Sequence, residues 1–412
     1  MTRRYLNLAA LALTAVLCLV FMAQAQQAAS PNAHRALYLV GNRQVTRFDL
    51  QSGAKKEWPL LAVVGMQEQD ICTARHAPIT CDWSASETQL DTANKRLYFA
   101  APTTEPGGEP ESDEDGSGRG PFAVWAVDLE TMKVLKKLDV TATPGSMILT
   151  SDGKQLLVSY DMSPFTVDTY DTATFAKTGS VKHAGVNQLD TYFMPGSYFL
   201  PDGKFIISGG VGADFRIRVT AGHFRQEAVD PRAQLAAAEK QKLSEFAKTE
   251  PDGQKLLVCT PVSSRNGKTL VFVLNDAMTK TGFWTVDMVT GSASSATVTD
   301  HYAAAQLIGS GEEFAAFEGQ ASQAPGKEFE FARSGRVVIY DSSTGKRLRE
   351  LNKPGIAGAG TVLCLSPDGW QAAYAQGRKL SLLDFRSGDL KPLGNVTDRP
   401  EPAYSGACGF MD

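Results

Sequence analysis

The sequence predicts an all-β fold: a seven-bladed β-propeller of four-stranded blades, closed by a C-terminal strand and carrying one inserted helix. Three observations lead there. A hairpin signal built on Asp recurs six times. A second hairpin signal, built on Asp-Gly, alternates with it. The spacing of the first is, at its shortest, 43 residues, the length of a four-stranded propeller blade.

The first signal is a short apolar run, an Asp, two spacers and a Thr/Ser-Gly turn. It reads "TRFDLQSGAKKEW", "WAVDLETMKVLKKL", "DTYDTATFAKTGSV", "WTVDMVTGSASSATV", "VIYDSSTGKRLREL" and "SLLDFRSGDLKPL". Its aspartates are Asp49, Asp128, Asp171, Asp287, Asp341 and Asp384, separated by 79, 43, 116, 54 and 43 residues. Each Asp is expected to accept hydrogen bonds from the turn amides, a structural role rather than a catalytic one. The second signal reads "ILTSDGKQLLVSY", "FLPDGKFIISGG" and "CLSPDGWQAAYA", with looser copies in "LDTANKRLYFAA" and "LIGSGEEFAAFEG". Asp-Gly suits a tight turn because Gly accepts positive φ without steric cost. Alternation as in "RVVIY" fits half-buried strands.

Taken in order, the blades fall at about 35–60, 88–140, 146–182, 189–226, 254–298, 302–351 and 360–393. The 116-residue gap hides the fourth blade, whose Asp hairpin is replaced by "AGHFR". The first blade lacks its inner strand, and the C-terminal "PAYSGACGFM" (402–411) is expected to supply it, removing open sheet edges. Two insertions interrupt the pattern. Residues 105–121 are rich in Gly, Pro and acid, so a solvated loop is expected. Residues 230–249 should form a helix, with Asp230 as cap, Pro231 in the first turn, and Leu235, Ala238, Leu243 and Phe246 as its apolar stripe.

These alternating Asp-x-x-Thr-Gly and Ser-Pro-Asp-Gly hairpins resemble YVTN-type seven-bladed propellers, which are grouped with the heavy chain of quinoprotein amine dehydrogenases. The resemblance spans about residues 35–411, although no copy carries a literal Tyr-Val-Thr-Asn. It implies architecture. In those dehydrogenases the quinone sits on another subunit, so the resemblance brings no catalytic residue and no cofactor to this chain.

Residues 1–25 read as a secretory signal peptide: basic "MTRR", an apolar core, then "AQA" with cleavage after Ala25. Residues 26–34 are a short linker. A periplasmic or secreted location follows, with no membrane insertion after cleavage. Export favours disulfides. Cys72 and Cys81, nine residues apart, are expected to close a short local loop as one candidate pair. Cys364 and Cys408 are expected on innermost strands of neighbouring blades, which makes them a second candidate pair. Net charge is −4, so no basic field exists to hold nucleic acid.

No nucleophile elbow, P-loop or haem-attachment motif occurs, and the five His are scattered without metal-ligand spacing. "SDEDGSG" fails as a calcium loop because its twelfth position is Val124. No catalytic, metal or cofactor site is therefore expected. Binding is expected at the channel mouth, where loops converge. One candidate set is Arg75, His76, Asp82 and Trp83 in the Cys loop. The other is Arg216, Arg218, His223 and Arg225 of the irregular fourth blade. The function these features suggest is a non-catalytic binding or scaffolding module for a protein or small ligand. The alternatives are a propeller subunit of a periplasmic amine dehydrogenase-like redox complex and a lactonase-like propeller hydrolase.

Overall fold

A computed structural model describes residues 35–41, 43–67, 85, 87–103, 122–140, 142, 144–150, 152–160, 165–183, 198–199, 204–208, 215–220, 224–228, 258–264, 268–275, 280–287, 290, 297–322, 330–358, 360–396 and 407–411. The fold is all-β. Among the described residues lie seven four-stranded antiparallel sheets. Strands are numbered in chain order, and the sheets in the order of their N-terminal strands.

The first sheet holds β1 (Ala36–Val40), β2 (Gln44–Asp49), β3 (Lys55–Pro59) and the terminal β28 (Ala407–Met411). The second holds β4 (Glu87–Asp91), β5 (Arg96–Pro102), β6 (Phe122–Asp128) and β7 (Val134–Val140). In the third are β8 (Pro144–Leu149), β9 (Gln155–Tyr160), β10 (Phe165–Asp171) and β11 (Lys177–His183). The fourth comprises β12 (Tyr198–Phe199), β13 (Lys204–Ser208), β14 (Phe215–Thr220) and β15 (Phe224–Ala228). The fifth comprises β16 (Val258–Ser263), β17 (Thr269–Asn275), β18 (Thr281–Asp287) and β19 (Thr297–Thr299). β20 (Tyr302–Ile308), β21 (Glu313–Ser322), β22 (Glu330–Asp341) and β23 (Arg347–Asn352) make the sixth. β24 (Gly360–Leu365), β25 (Gln371–Gln376), β26 (Lys379–Asp384) and β27 (Leu390–Asn395) make the seventh. The terminal strand pairs antiparallel with β1 over five residue pairs, from Ala36 with Met411 to Val40 with Ala407.

Strand alternation explains the packing. Successive side chains point to opposite faces, so one strand feeds two cores. Ala36, Tyr38 and Val40 of β1 pack with Leu97, Phe99 and Trp125 of the second sheet. Leu37 and Leu39 pack instead with Ala373, Ala375 and Leu382 of the seventh. β6 repeats the device: Ala123, Trp125 and Val127 face the first sheet, while Phe122, Val124 and Ala126 face the third. Further cores join the fifth sheet to the sixth and the sixth to the seventh. Each fully buried Phe, Leu or Val in these layers contributes about 1.5–3 kcal/mol. The packing order thus runs from fifth to sixth, seventh, first, second and third sheet. This is the arrangement of a β-propeller.

The Asp hairpins are structural. Asp341 accepts from the Ser343 and Thr344 amides (3.0 and 2.8 Å) and from both hydroxyls. Asp49, Asp128 and Asp171 each accept the amide and the hydroxyl of Ser52, Thr131 and Thr174, respectively. Asp384 takes the Arg386 and Ser387 amides, and Asp287 takes the Thr290 amide. Cys364 and Cys408 form a disulfide with Cα atoms 5.5 Å apart, tying β24 of the seventh sheet to β28 of the first.

The one described α-helix is the single turn α1, Leu60–Val63. No helix among the described residues is long and apolar enough to cross a membrane. Residues 1–34, the Cys72–Cys81 loop, the acidic loop 105–121 and the expected helix at 230–249 lie outside the described residues.

Candidate functional site

Antiparallel order divides each sheet into two ends. In the sixth sheet the turns 309–312 and 342–346 share one end. The β21–β22 connection and the exit after Asn352 share the other. In a propeller the first strands of neighbouring sheets run the same way, so these ends lie on one side of the packed sheets. The Asp hairpins occupy the turn end. The strands bounding residues 60–86, 104–121 and 229–257 open at the connector end.

Of the residues selected from sequence, Arg75, His76, Asp82, Trp83 and His223 lie outside the described residues, as do Cys72 and Cys81. Arg216 and Arg218 lie on β14, and Arg225 lies on β15. Register pairs Arg216 with Ala228, Arg218 with Gln226 and Arg225 with Val219. Arg225 is thus out of phase with the other two, and the three do not form one register cluster.

Three charged clusters are well described. The first is built on Asp168, which is buried in β10. It accepts from Ser180 Oγ (2.6 Å) and Tyr170 Oη (3.1 Å), and pairs with Lys177 Nζ at 2.7 Å. Tyr160 and Tyr170 share a hydroxyl contact of 2.9 Å. Burial raises both phenols, Tyr170 to about 12. The carboxylate is fully engaged, and neither phenol ionises near neutral pH.

The second is Glu318, whose side chain is almost wholly enclosed. It meets Arg336 Nη1 at 2.5 Å, and Arg336 reaches Glu350 Oε1 at 3.0 Å. Arg347 adds a further ion pair to Glu350. Charge is balanced locally, as a structural network requires.

The third lies between the sixth and seventh sheets at the connector end. β22 bulges: Phe317 opposes Val337, but Gly319 opposes Arg333, so residues 334–336 loop out opposite Glu318. Gly335 takes φ of +88°, and a Cβ there would come within 2.9 Å of the Lys353 carbonyl oxygen. The bulge leaves Arg333 on the face that carries Val337 and Ile339, inside the inter-sheet core. Arg333 is 8% exposed. Its guanidinium lies 4.2 Å from the Phe317 ring centroid and 5.5 Å from that of Tyr374.

Its Nε and Nη1 are enclosed and have no hydrogen-bond partner among the described residues. Burial lowers its pKa to about 10, which leaves it cationic at neutral pH. The Tyr374 hydroxyl donates to the Ile356 carbonyl at 2.8 Å and faces the guanidinium as an acceptor, which leaves Nε and Nη1 still unmatched. The 3-10 turn Pro354–Ile356 lies alongside, bridged to Arg333 through Gly358 in both directions (2.9 and 2.7 Å). Gln376 holds the carbonyls of Gly355 and Ala357 at 3.2 and 2.8 Å. Nothing in the sequence singles out Arg333 except its place four residues before "VVIY".

No known family pattern and no curated relative matches the chain. Among solved structures, a functionally unknown protein from Desulfotomaculum acetoxidans aligns with TM-score 0.51 and 10% identity, over 92% of this chain and all of its own. Kuenenia stuttgartiensis hydrazine synthase aligns with TM-score 0.44 and 16% identity, over 73% of this chain and 76% of that one. The β-propeller domain of Myceliophteria thermophila Cps50 (Swd1) aligns with TM-score 0.42 and 13% identity, over 74% and 84%. The sheets and their packing define the class as a β-propeller protein.

Proposed function

We propose that the chain is an exported seven-bladed propeller of YVTN-like type that acts as a non-catalytic binding or scaffolding module, with its connector end as the binding surface. One observation carries this reading. The strands that bound the longest departures from the repeat, 60–86, 104–121 and 229–257, open at that end, and the first of these stretches of sequence contains Arg75, His76, Asp82 and Trp83. Loops displayed on a rigid scaffold are where proteins concentrate recognition. The opposite end is taken up by short turns whose aspartates are committed to their own backbone. The charged clusters described above are either internally neutralised or, at Arg333, a lone cation.

The test is affinity capture of the mature chain from a periplasmic extract. It is compared with a variant in which 105–121 is replaced by a short Gly-Ser linker and Arg75 and Trp83 are changed to Ala. A stoichiometric partner retained by the wild type and lost by the variant supports the reading. Equal capture by both places recognition elsewhere. Turnover of a lactone or ester panel by the wild type, with no partner captured, overturns it in favour of a hydrolase.

A further inference from the structure

We propose that Arg333 is the anchor of a carboxylate-binding site between the sixth and seventh sheets. An ionised guanidinium excluded from water is costly unless hydrogen bonds replace its hydration. Stacking offsets part of that cost, because the cation lies over the Phe317 face and near that of Tyr374. Stacking uses the flat faces of the guanidinium. Its N–H donors point outward in its own plane, and Nε and Nη1 find no acceptor there among the described residues. Within the described residues no carboxylate is paired with Arg333, although Arg336, three residues on, has two.

The missing group is therefore an in-plane acceptor carrying one negative charge. A carboxylate meets this need, since its two oxygens match adjacent guanidinium donors. A phosphate dianion would leave charge unbalanced against one cation and aromatic walls. The 3-10 turn beside Arg333 borders solvent: Pro354, Gly355 and Ala357 are exposed while Ile356 is buried. This site sits at the connector end, so it adds a chemistry to the binding end proposed above without depending on a partner being found there.

The experiment is thermal unfolding of the mature chain in rising sodium acetate at ionic strength held constant with chloride. Acetamide serves as the neutral isostere. A tripeptide with a free C-terminus and its amidated form serve as the polypeptide arm. Wild type should gain about 3–5 °C at acetate a hundredfold above its dissociation constant, with no gain in acetamide. Arg333→Met should lose the gain entirely, and Arg333→Lys should need at least tenfold more acetate. A larger gain with the free tripeptide than with acetate, absent from the amide, assigns the carboxylate to a polypeptide end. Equal or better acetate assigns it to a small free acid. The proposal is overturned if wild type responds to neither acetate nor tripeptide. It is also overturned if Arg333→Met, or Arg333→Lys should the Met variant not fold, responds as wild type does. Neither result bears on partner capture by the loops, so the two readings fail separately.

Discussion

Replacing Cys364 and Cys408 together by alanine removes the side-chain crosslink between the terminal strand β28 and β24 of the seventh sheet. The two residues are 44 apart in sequence. A crosslink closing a loop of that length lowers the entropy of the unfolded chain enough to stabilise the fold by about 4 kcal/mol. Little of this should be recovered by packing, because both side chains are only partly buried against the core of Leu37, Leu39 and Phe410. The non-covalent hold on β28 is the five-pair ladder with β1. Against a typical net stability of about 5–15 kcal/mol, a loss of this size is large. The assay is urea unfolding followed by tryptophan fluorescence, run on the double variant and on wild type with and without reductant. The double variant should unfold well below oxidised wild type, and reductant should lower wild type by at least as much, with amide exchange in 407–411 of the variant accelerated more than elsewhere. Unfolding of the oxidised wild type and the variant at the same urea concentration would refute the assignment of this pair as a stabilising clasp.

Other perturbations have defined outcomes. Asp341→Ala removes the acceptor for two amides and two hydroxyls at a solvent-accessible turn, and should cost about 1 kcal/mol by urea unfolding, with the fold retained. Gly360→Ala should cost more, about 2–3 kcal/mol, since a Cβ there would come within 1.9 Å of the Tyr374 hydroxyl and 2.3 Å of its ring. Its circular dichroism should stay β-like while the thermal midpoint drops. The turn aspartates Asp49, Asp128, Asp171 and Asp341 are held below the usual carboxylate range by hydrogen bonds from Ser or Thr in their own turns. Their folded-state pKa values lie below the unfolded ones, so their contribution is complete above about pH 5 and is lost from about pH 4 downward. The thermal midpoint should therefore fall steeply below pH 4, and Asp128→Asn combined with Asp341→Asn should flatten that slope.

What the sequence conveyed depended on how local the physics was. An Asp that accepts amides two and three residues ahead needs nothing from the rest of the chain, so Asp49, Asp128, Asp171 and Asp341 were legible from spacing alone. The pairing of Cys364 with Cys408 was legible one level up. It followed from placing β24 and β28 as first strands of neighbouring sheets, and the repeat length supplies that placement. Arg333 belongs to a third level. Its position follows from a bulge in which β22 spends four residues against two on β21, with Gly335 at positive φ. Two extra residues preserve the alternation, so Arg333 keeps the inward phase of Val337 and Ile339. Read as a pattern, a charge in that phase marks the end of a buried strand. The strand in fact continues through the charge to Glu330, extending the sheet past the core while taking a cation with it. A propeller that needed only to fold would have placed an apolar residue at this position, since the Phe317 and Tyr374 rings would pack against Met or Leu at lower cost than against an unpaired guanidinium. That cost, carried at the end where the repeat is most altered, is the physical reason to look for a ligand there.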